Sequence, residues 1–221
     1  MRILAITDLR GATERLPQIK RVIQDKGVGL VVFSGNIVPE DARTNAFRKA
    51  RESRSAPSMD KVALQAMEDE AVRAYEAFFQ AAGEWGVPVA LVPGFLDAPE
   101  RLYLQAALNH EVVDPNVHMV HRSFLIMPGE NLVFAGFGGG VNEDLRESIY
   151  VLTYPAWEAR FAFDFLREIE QEPVLIFHTP PRRDPVDREY GKHVGQPVIE
   201  TLIKELHPRY AFCGSALEGQ G

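Results

Sequence analysis

The 221-residue chain has a single cysteine, Cys213. That excludes a disulfide framework and any zinc or iron–sulfur site built on several thiolates. No apolar run approaches the roughly 18 residues of a membrane-spanning helix. At the start of the chain only Ile3 to Ile6 are apolar before Thr7 and Asp8, too short for the core of a signal peptide. Basic residues are in deficit, with 24 Lys and Arg against 31 Asp and Glu and a formal charge of -7. A general nucleic-acid binder has the opposite balance. There is no internal repeat and no Gly-x-Ser-x-Gly elbow for a serine nucleophile. The glycine run Gly136-Phe137-Gly138-Gly139-Gly140-Val141 has Val141 where a dinucleotide fingerprint needs its last glycine. It also lacks the Gly-Lys-Ser/Thr of a phosphate loop.

What is present is average for a globular protein: 46% hydrophobic and 25% charged residues. A chain of this length buries roughly 70% of its unfolded surface and needs no staple. The expectation is one cytoplasmic domain over 1–221, with no membrane association.

Six short apolar runs end in Gly, Pro or small polar residues. They are Ile3 to Ile6, Leu30 to Phe33, Val89 to Val92, Leu132 to Ala135, Val174 to Phe177 and Tyr210 to Cys213. Runs of four rich in Val, Ile and Phe predict buried strands. Helical spacing appears at Leu16 to Ile23, Met59 to Trp85, Leu102 to Leu108, Trp157 to Ile169 and Val198 to Leu206. Val112 to Met127 reads as short extended pieces. The alternation predicts an α/β fold with helices covering the sheets. The stretch from Asp41 to Lys61 is charged and poor in large apolar residues, and is expected to be a basic, mobile insertion. Its second reading is an anion-binding arm.

In open α/β sheets, ligands sit at the carboxyl ends of strands. Here those ends carry Asp8-Leu9-Arg10, Gly35-Asn36, Gly94-Phe95-Leu96-Asp97, His178 and Gly214-Ser215-Ala216-Leu217. Their order resembles the calcineurin-like metallophosphoesterases, which carry Asp-x-His, Gly-Asp, Gly-Asn-His-Asp or -Glu, a lone His, and Gly-His-x-His after successive strands. The resemblance extends through Val92 to Pro99, Tyr154 to Trp157, Phe177 to Pro180 and Gly191 to Gly195. It is similar to a small bacterial and archaeal phosphoesterase-like branch. It implies a four-layer sandwich, two packed mixed sheets flanked by helices. The chain stops at Gly221, and is read as ending before the strands that close one sheet in that family.

The family's reaction is metal-dependent phosphoester hydrolysis. Two divalent cations about 3.5–4 Å apart clamp the phosphoryl oxygens and generate hydroxide. Of the ligands the resemblance implies, Asp8 and His178 match, and Asn36 is a neutral stand-in for the bridging Asp. Arg10 replaces a metal-binding His, and Phe95 and Leu96 replace the ligand Asn and the proton-donating His. Ser215 and Leu217 replace the last imidazoles. One carboxylate cannot balance two divalent ions, and Arg10 adds a like charge. The implied site is therefore degenerate. One reading is a weak hydrolase with a single Mn-, Ca- or Mg-type ion at Asp8, Asn36 and His178. The others are a non-catalytic module that holds a phosphorylated small molecule through Arg10, and a structural remnant.

Several residues have plainer readings beside these. Arg10 could simply pair with Asp8. His178 could bond backbone at the core edge. Asp97 and Glu100 spell a helix capping box, the reading preferred for Asp97. His193 precedes a helix start and is left open between cleft and surface.

Overall fold

The structure, a computed structural model, describes residues 1–142, 148–189 and 191–216. The first half is a parallel βα succession: β1 Ile3–Ile6, α1 Leu16–Lys26, β2 Leu30–Phe33, α2 Ala42–Glu52, α3 Lys61–Gly83, β3 Val89–Leu91, α4 Glu100–Val113 and β4 Val117–Met119. These strands form one sheet in the order β1-β2-β3-β4, parallel throughout. The second half comprises β5 Phe124–Ile126, β6 Leu132–Phe137, β7 Gly140–Asn142, β8 Thr153–Pro155, α5 Ala156–Phe161, β9 Glu172–Phe177, β10 Arg188–Glu189, β11 Lys192–His193, α6 Pro197–Leu206 and β12 Tyr210–Cys213. Its main sheet runs β12-β9-β6-β5, with only the β5–β6 pair antiparallel. Both sheets were expected to be mixed; only the second is.

Side-chain alternation builds the four layers. In β2, Leu30 and Val32 face one way and Val31 and Phe33 the other. Leu30 and Val32 join Ala90, Val92, Leu132, Phe134, Val174 and Ile176 in a core between the two sheets. Val31, Phe33, Val89 and Leu91 pack outward with Tyr75, Phe78 and Phe79 of α3 and Tyr103 of α4. On the far side Val133, Ala135, Leu175 and Phe177 meet Ala159 of α5 and Val198, Ile199 and Leu202 of α6. Central strands are buried on both faces, which is why they read as unbroken apolar runs rather than alternating ones. Among the described residues, no helix is long and apolar enough to cross a membrane.

Two expectations are corrected. Residues 41–61, expected to be a basic, mobile insertion, carry helix α2 at Ala42–Glu52. Asp41 caps α2 by accepting from the Arg43 amide at 2.7 Å, and Thr44, Phe47 and Ala50 bury one helix face. Arg43 is itself 2% exposed, with its guanidinium on Asp41 and the Ala98 carbonyl. A buried arginine needs such partners, and partners distant in sequence are invisible to composition. Apart from the cap Asp41, only residues 53–60 lie outside a helix, and most of these are exposed. The second correction is Trp157 to Ile169, which splits into α5 and a short 3-10 turn at Asp164–Glu168.

Candidate functional site

The strands of each half are parallel where the motifs sit, so their carboxyl ends share one edge. Asp8 follows β1, Asn36 follows β2, Gly94 to Asp97 follow β3, His178 follows β9, and Gly214 and Ser215 follow β12. Hydrogen bonds join these ends across the two sheets. The Asn36 amide donates to Asp8 Oδ1 at 2.7 Å, and the Ser215 backbone N–H to Asp8 Oδ2 at 3.3 Å. His178 Nδ1 bonds the Ser34 carbonyl at 2.7 Å, and the Gly214 amide donates to the His178 carbonyl at 3.1 Å.

Asp8 is the hub. Besides Asn36 and Ser215, it accepts from the Thr7 hydroxyl at 2.7 Å and from Arg10 Nε at 3.1 Å. Burial pushes its carboxyl up, but the His178 charge, the Asn36 and Thr7 hydrogen bonds and the Arg10 charge outweigh it and hold the group below its ordinary value. Arg10 uses Nε on Asp8, and the residue also lines the cleft described below. Of the seven described non-glycine residues with positive φ, four belong to this network: Asp8, Arg10, Asn36 and Ser215. Such backbone strain persists where surrounding bonds over-determine it, and clusters at functional sites.

Asp97 does not cap α4; Pro99 occupies that position. Its carboxylate is fully buried and accepts four backbone N–H groups: Asn36 at 2.9 Å, Ile37 at 2.9 Å, Val38 at 3.2 Å and Gly94 at 2.7 Å. Burial pushes this carboxyl up, and the hydrogen bonds and the His178 charge only partly offset it. Asp97 thus staples the loop after β2 to the loop after β3. The two loops touch through backbone, since a Cβ on Gly94 would lie 2.1 Å from the Asn36 nitrogen.

Beside the network lies a cleft of about 620 Å³. Arg10, Arg48, Arg51, His178 and His193 line it, with Glu40 the acidic member. Phe95 and Leu96 form an apolar side. Arg48 pairs with Glu40 through both carboxylate oxygens, and the Arg51 guanidinium sits 6.0 Å from the Phe47 ring centre. Arg48 and Arg51 were legible only as part of a charged stretch, although their i, i+3 spacing puts them on one helix face. Asp187 carries no signal in the sequence, because it reaches His193 around a turn that no spacing rule marks. Burial pushes the Cys213 thiol up to about 12, which keeps it protonated and unreactive. Leu217, read as a replaced imidazole, lies outside the described residues.

A metal ion needs oxygen or nitrogen lone pairs that protein donors have not taken. Each Asp8 oxygen accepts two hydrogen bonds. Asn36 Oδ1 accepts from the Leu96 amide at 2.8 Å. His178 Nδ1 is held on a carbonyl, so it carries the proton, and Nε2 is buried without a partner. Of the three expected metal ligands, Asp8 is saturated, while Asn36 Oδ1 keeps one lone pair and His178 keeps Nε2.

The family model for metallophosphoesterases of the calcineurin superfamily matches residues 1–221. One solved structure is 34% identical with a TM-score of 0.88, covering 99% of this chain and 84% of that one. A protein designated TT1561 from Thermus thermophilus is 27% identical with a TM-score of 0.75, covering 96% of this chain and 80% of that one. No curated protein matches.

Proposed function

The chain belongs to the metallophosphoesterases of the calcineurin superfamily, and from that premise we propose that its cleft binds a phosphorylated small molecule through arginine, without the family's metal pair. The observation that carries this reading is the saturation of Asp8. Its two oxygens already accept from four donors, two of which are the Asn36 amide and the Arg10 guanidinium. Cationic and amide N–H groups thus stand around the carboxylate that metal would need. The residues present do not fit a two-metal centre, and with the one carboxylate saturated, an open imidazole at His178 and one neutral lone pair on Asn36 Oδ1 do not make a one-metal site.

Arg10 remains suited to an anion. Nε fixes the guanidinium on Asp8, and the terminal nitrogens keep a fork that matches two phosphate oxygens. Holding one edge of the fork in place lowers the entropy lost on binding. Arg48 and Arg51 add positive charge to the cleft against Glu40 alone. Phe95 and Leu96 offer apolar area to the rest of the ligand. No hydrolytic step is assigned. The position that would protonate a leaving oxygen by the family pattern is Leu96, which is 6% exposed and has no titratable group.

Calorimetry with inorganic phosphate tests this. Binding should persist in the presence of a chelator and weaken by about tenfold or more in Arg10→Ala, as expected for a lost charge-assisted bidentate contact. Titration with manganese should give no site-specific heat. Manganese-dependent turnover of an aryl phosphate, lost in Asp8→Ala and His178→Ala, would establish the single-metal hydrolase instead. Binding of neither phosphate nor manganese would leave only a structural role.

A further inference from the structure

A second imidazole stands at the same cleft, and its orientation is set by a buried acid. Asp187 is fully buried, and both its oxygens lie within hydrogen-bond reach of His193 Nδ1, at 3.0 and 2.9 Å. A carboxylate in that position fixes the tautomer, so Nδ1 carries a proton and Nε2 is left for other partners. His193 lines the cleft together with Arg10 and His178. Nε2 lies 3.9 Å from Asp184 Oδ2, beyond a hydrogen bond.

The backbone holds this pair at the site. Gln196 donates to the Pro180 carbonyl at 2.9 Å, and Arg182 donates to the Gln196 carbonyl at 3.3 Å. These bonds tie the segment after His193 to the segment after His178. Val194 also donates to the Asp187 carbonyl at 2.9 Å. At Gly195 a Cβ would come within 2.2 Å of the Pro181 oxygen, so a side chain there would force the two segments apart.

Asp184, Asp187 and His193 also lie close enough to suggest a cation site. The donor set argues otherwise. Both Asp187 oxygens are directed at His193 Nδ1, and both Asp184 oxygens accept from Arg188. What the cluster offers outward is an imidazole backed by a buried carboxylate.

We propose that His193, positioned by Asp187, is an anion-contacting residue of the cleft and donates Nε2–H to an oxygen of the bound phosphoryl group. This rests on the phosphate-binding reading of the cleft and deepens it. For Nε2 to donate while Nδ1 stays on Asp187, the ring must be the imidazolium, so at pH above the histidine range ligand binding takes up a proton. The cation then lies between two anions, the carboxylate and the phosphate. His178, buried and lining the same cleft, has its Nε2 without a partner, which is a second sign that a ligand completes the polar shell here. The charged groups around His193 are Asp184, Asp187, Arg188 and Lys192 on its own segment. Arg10, Glu40, Arg48, Arg51 and His178 face it from the rest of the cleft.

Sulfate is the probe for the test, because it mimics a phosphoryl dianion and does not itself titrate near neutrality. Calorimetry of the unmodified protein in two buffers of different ionisation enthalpy should show proton uptake on binding, and affinity should fall by about tenfold for a one-unit rise in pH above the histidine range. His193→Gln should retain a donor at the Nε2 position and bind more weakly, with the pH dependence gone. His193→Ala should lose both, and Asp187→Asn should lower affinity by misorienting the ring. Should His193→Ala destabilise the fold, the imidazole proton shifts of the unmodified protein supply the same readout. The His193 resonance should move toward the protonated form when sulfate is added. Sulfate binding that Arg10→Ala weakens but His193→Gln and His193→Ala leave unchanged, pH slope included, overturns this proposal alone. Failure of the unmodified protein to bind either sulfate or phosphate overturns the phosphate reading, and this one with it.

Discussion

The two halves of the molecule treat their strand-end polar groups in opposite ways. In the first half the groups close on one another. Asp97 takes four backbone N–H groups, Asn36 spends its amide on Asp8 and its oxygen on Leu96, and Asp8 takes four donors. In the second half the two cleft imidazoles are each held by one nitrogen, His178 on the Ser34 carbonyl and His193 on Asp187. Asp8 and Asp97, closed in this way, have no capacity left for a ligand and contribute rigidity, whereas Arg10 at the edge of the network keeps its terminal nitrogens. A half-satisfied group has a direction and an open bond, which is what recognition needs. The difference teaches where to expect loss of stability and where to expect loss of binding.

The comparison breaks most visibly at Asp97. Asp97→Ala strands four buried N–H groups and should cost about 3–5 kcal/mol. At the usual scaling for a chain of this size that is a drop in Tm of roughly 6–20 °C. Denaturant titration or calorimetry measures it, and a loss below about 1 kcal/mol would mean that the first-half network is not a structural staple. Gly94→Ala comes next. The new Cβ would meet the Asn36 nitrogen at 2.1 Å and its Oδ1 at 2.2 Å, both parts of a tightly bonded loop. The loops must separate, at about 1–3 kcal/mol, and phosphate affinity should fall because the Asn36–Asp8–Arg10 chain moves with them.

A smaller effect sharpens the comparison through pH. The folded Asp8 carboxyl is held below its ordinary value. Its contribution is therefore fully present above the unfolded value of about 3.9 and is lost as pH falls through the folded one. Asp8→Asn should cost about 1–2 kcal/mol near pH 6, and the gap to the unmodified protein should narrow toward pH 3. Denaturation midpoints at the two pH values measure this. A gap that widens in acid would contradict the direction of the shift. Asp97, with its carboxyl raised, works in the opposite sense and loses stabilising contribution as pH rises above the ordinary aspartate range.

The smallest effect on stability is expected at His178. Its one side-chain bond is to the Ser34 carbonyl, so His178→Asn should cost about 1 kcal/mol while weakening phosphate binding by a larger factor. If stability fell by as much as in Asp97→Ala, the division between closed and open halves would not hold.

Much of the scaffold was legible because its causes are local. Leu30 to Phe33 and Tyr210 to Cys213 appear as strands with the bounds read from the residues. Four consecutive apolar residues ended by Gly or small polar ones leave few alternatives. The motif positions Asp8, Asn36, Gly94, His178 and Gly214 could be named because they follow those strands. What they do there could not be read so directly. Asp97 looked like a helix cap, since Asp followed by Glu three residues on is a local pattern. Its actual partners lie about 60 residues away in the loop after β2. Residues 41–61 looked solvated because their charge outnumbers their large apolar side chains. Thr44, Phe47 and Ala50, spread over nearly two turns of one face, are buried against the body of the protein.

The succession of strands and helices along the chain and the residue types that stand at the strand ends are properties of the sequence itself. They follow from residue type and spacing along one stretch of chain. Whether Asp8 keeps a lone pair for a ligand, where the Arg10 guanidinium is anchored, and that Asp187 stands behind His193 are decided only in three dimensions. A hydrogen-bond donor is consumed by whatever acceptor the fold brings to it, and here the fold brings Ser215 to Asp8 from 207 residues away.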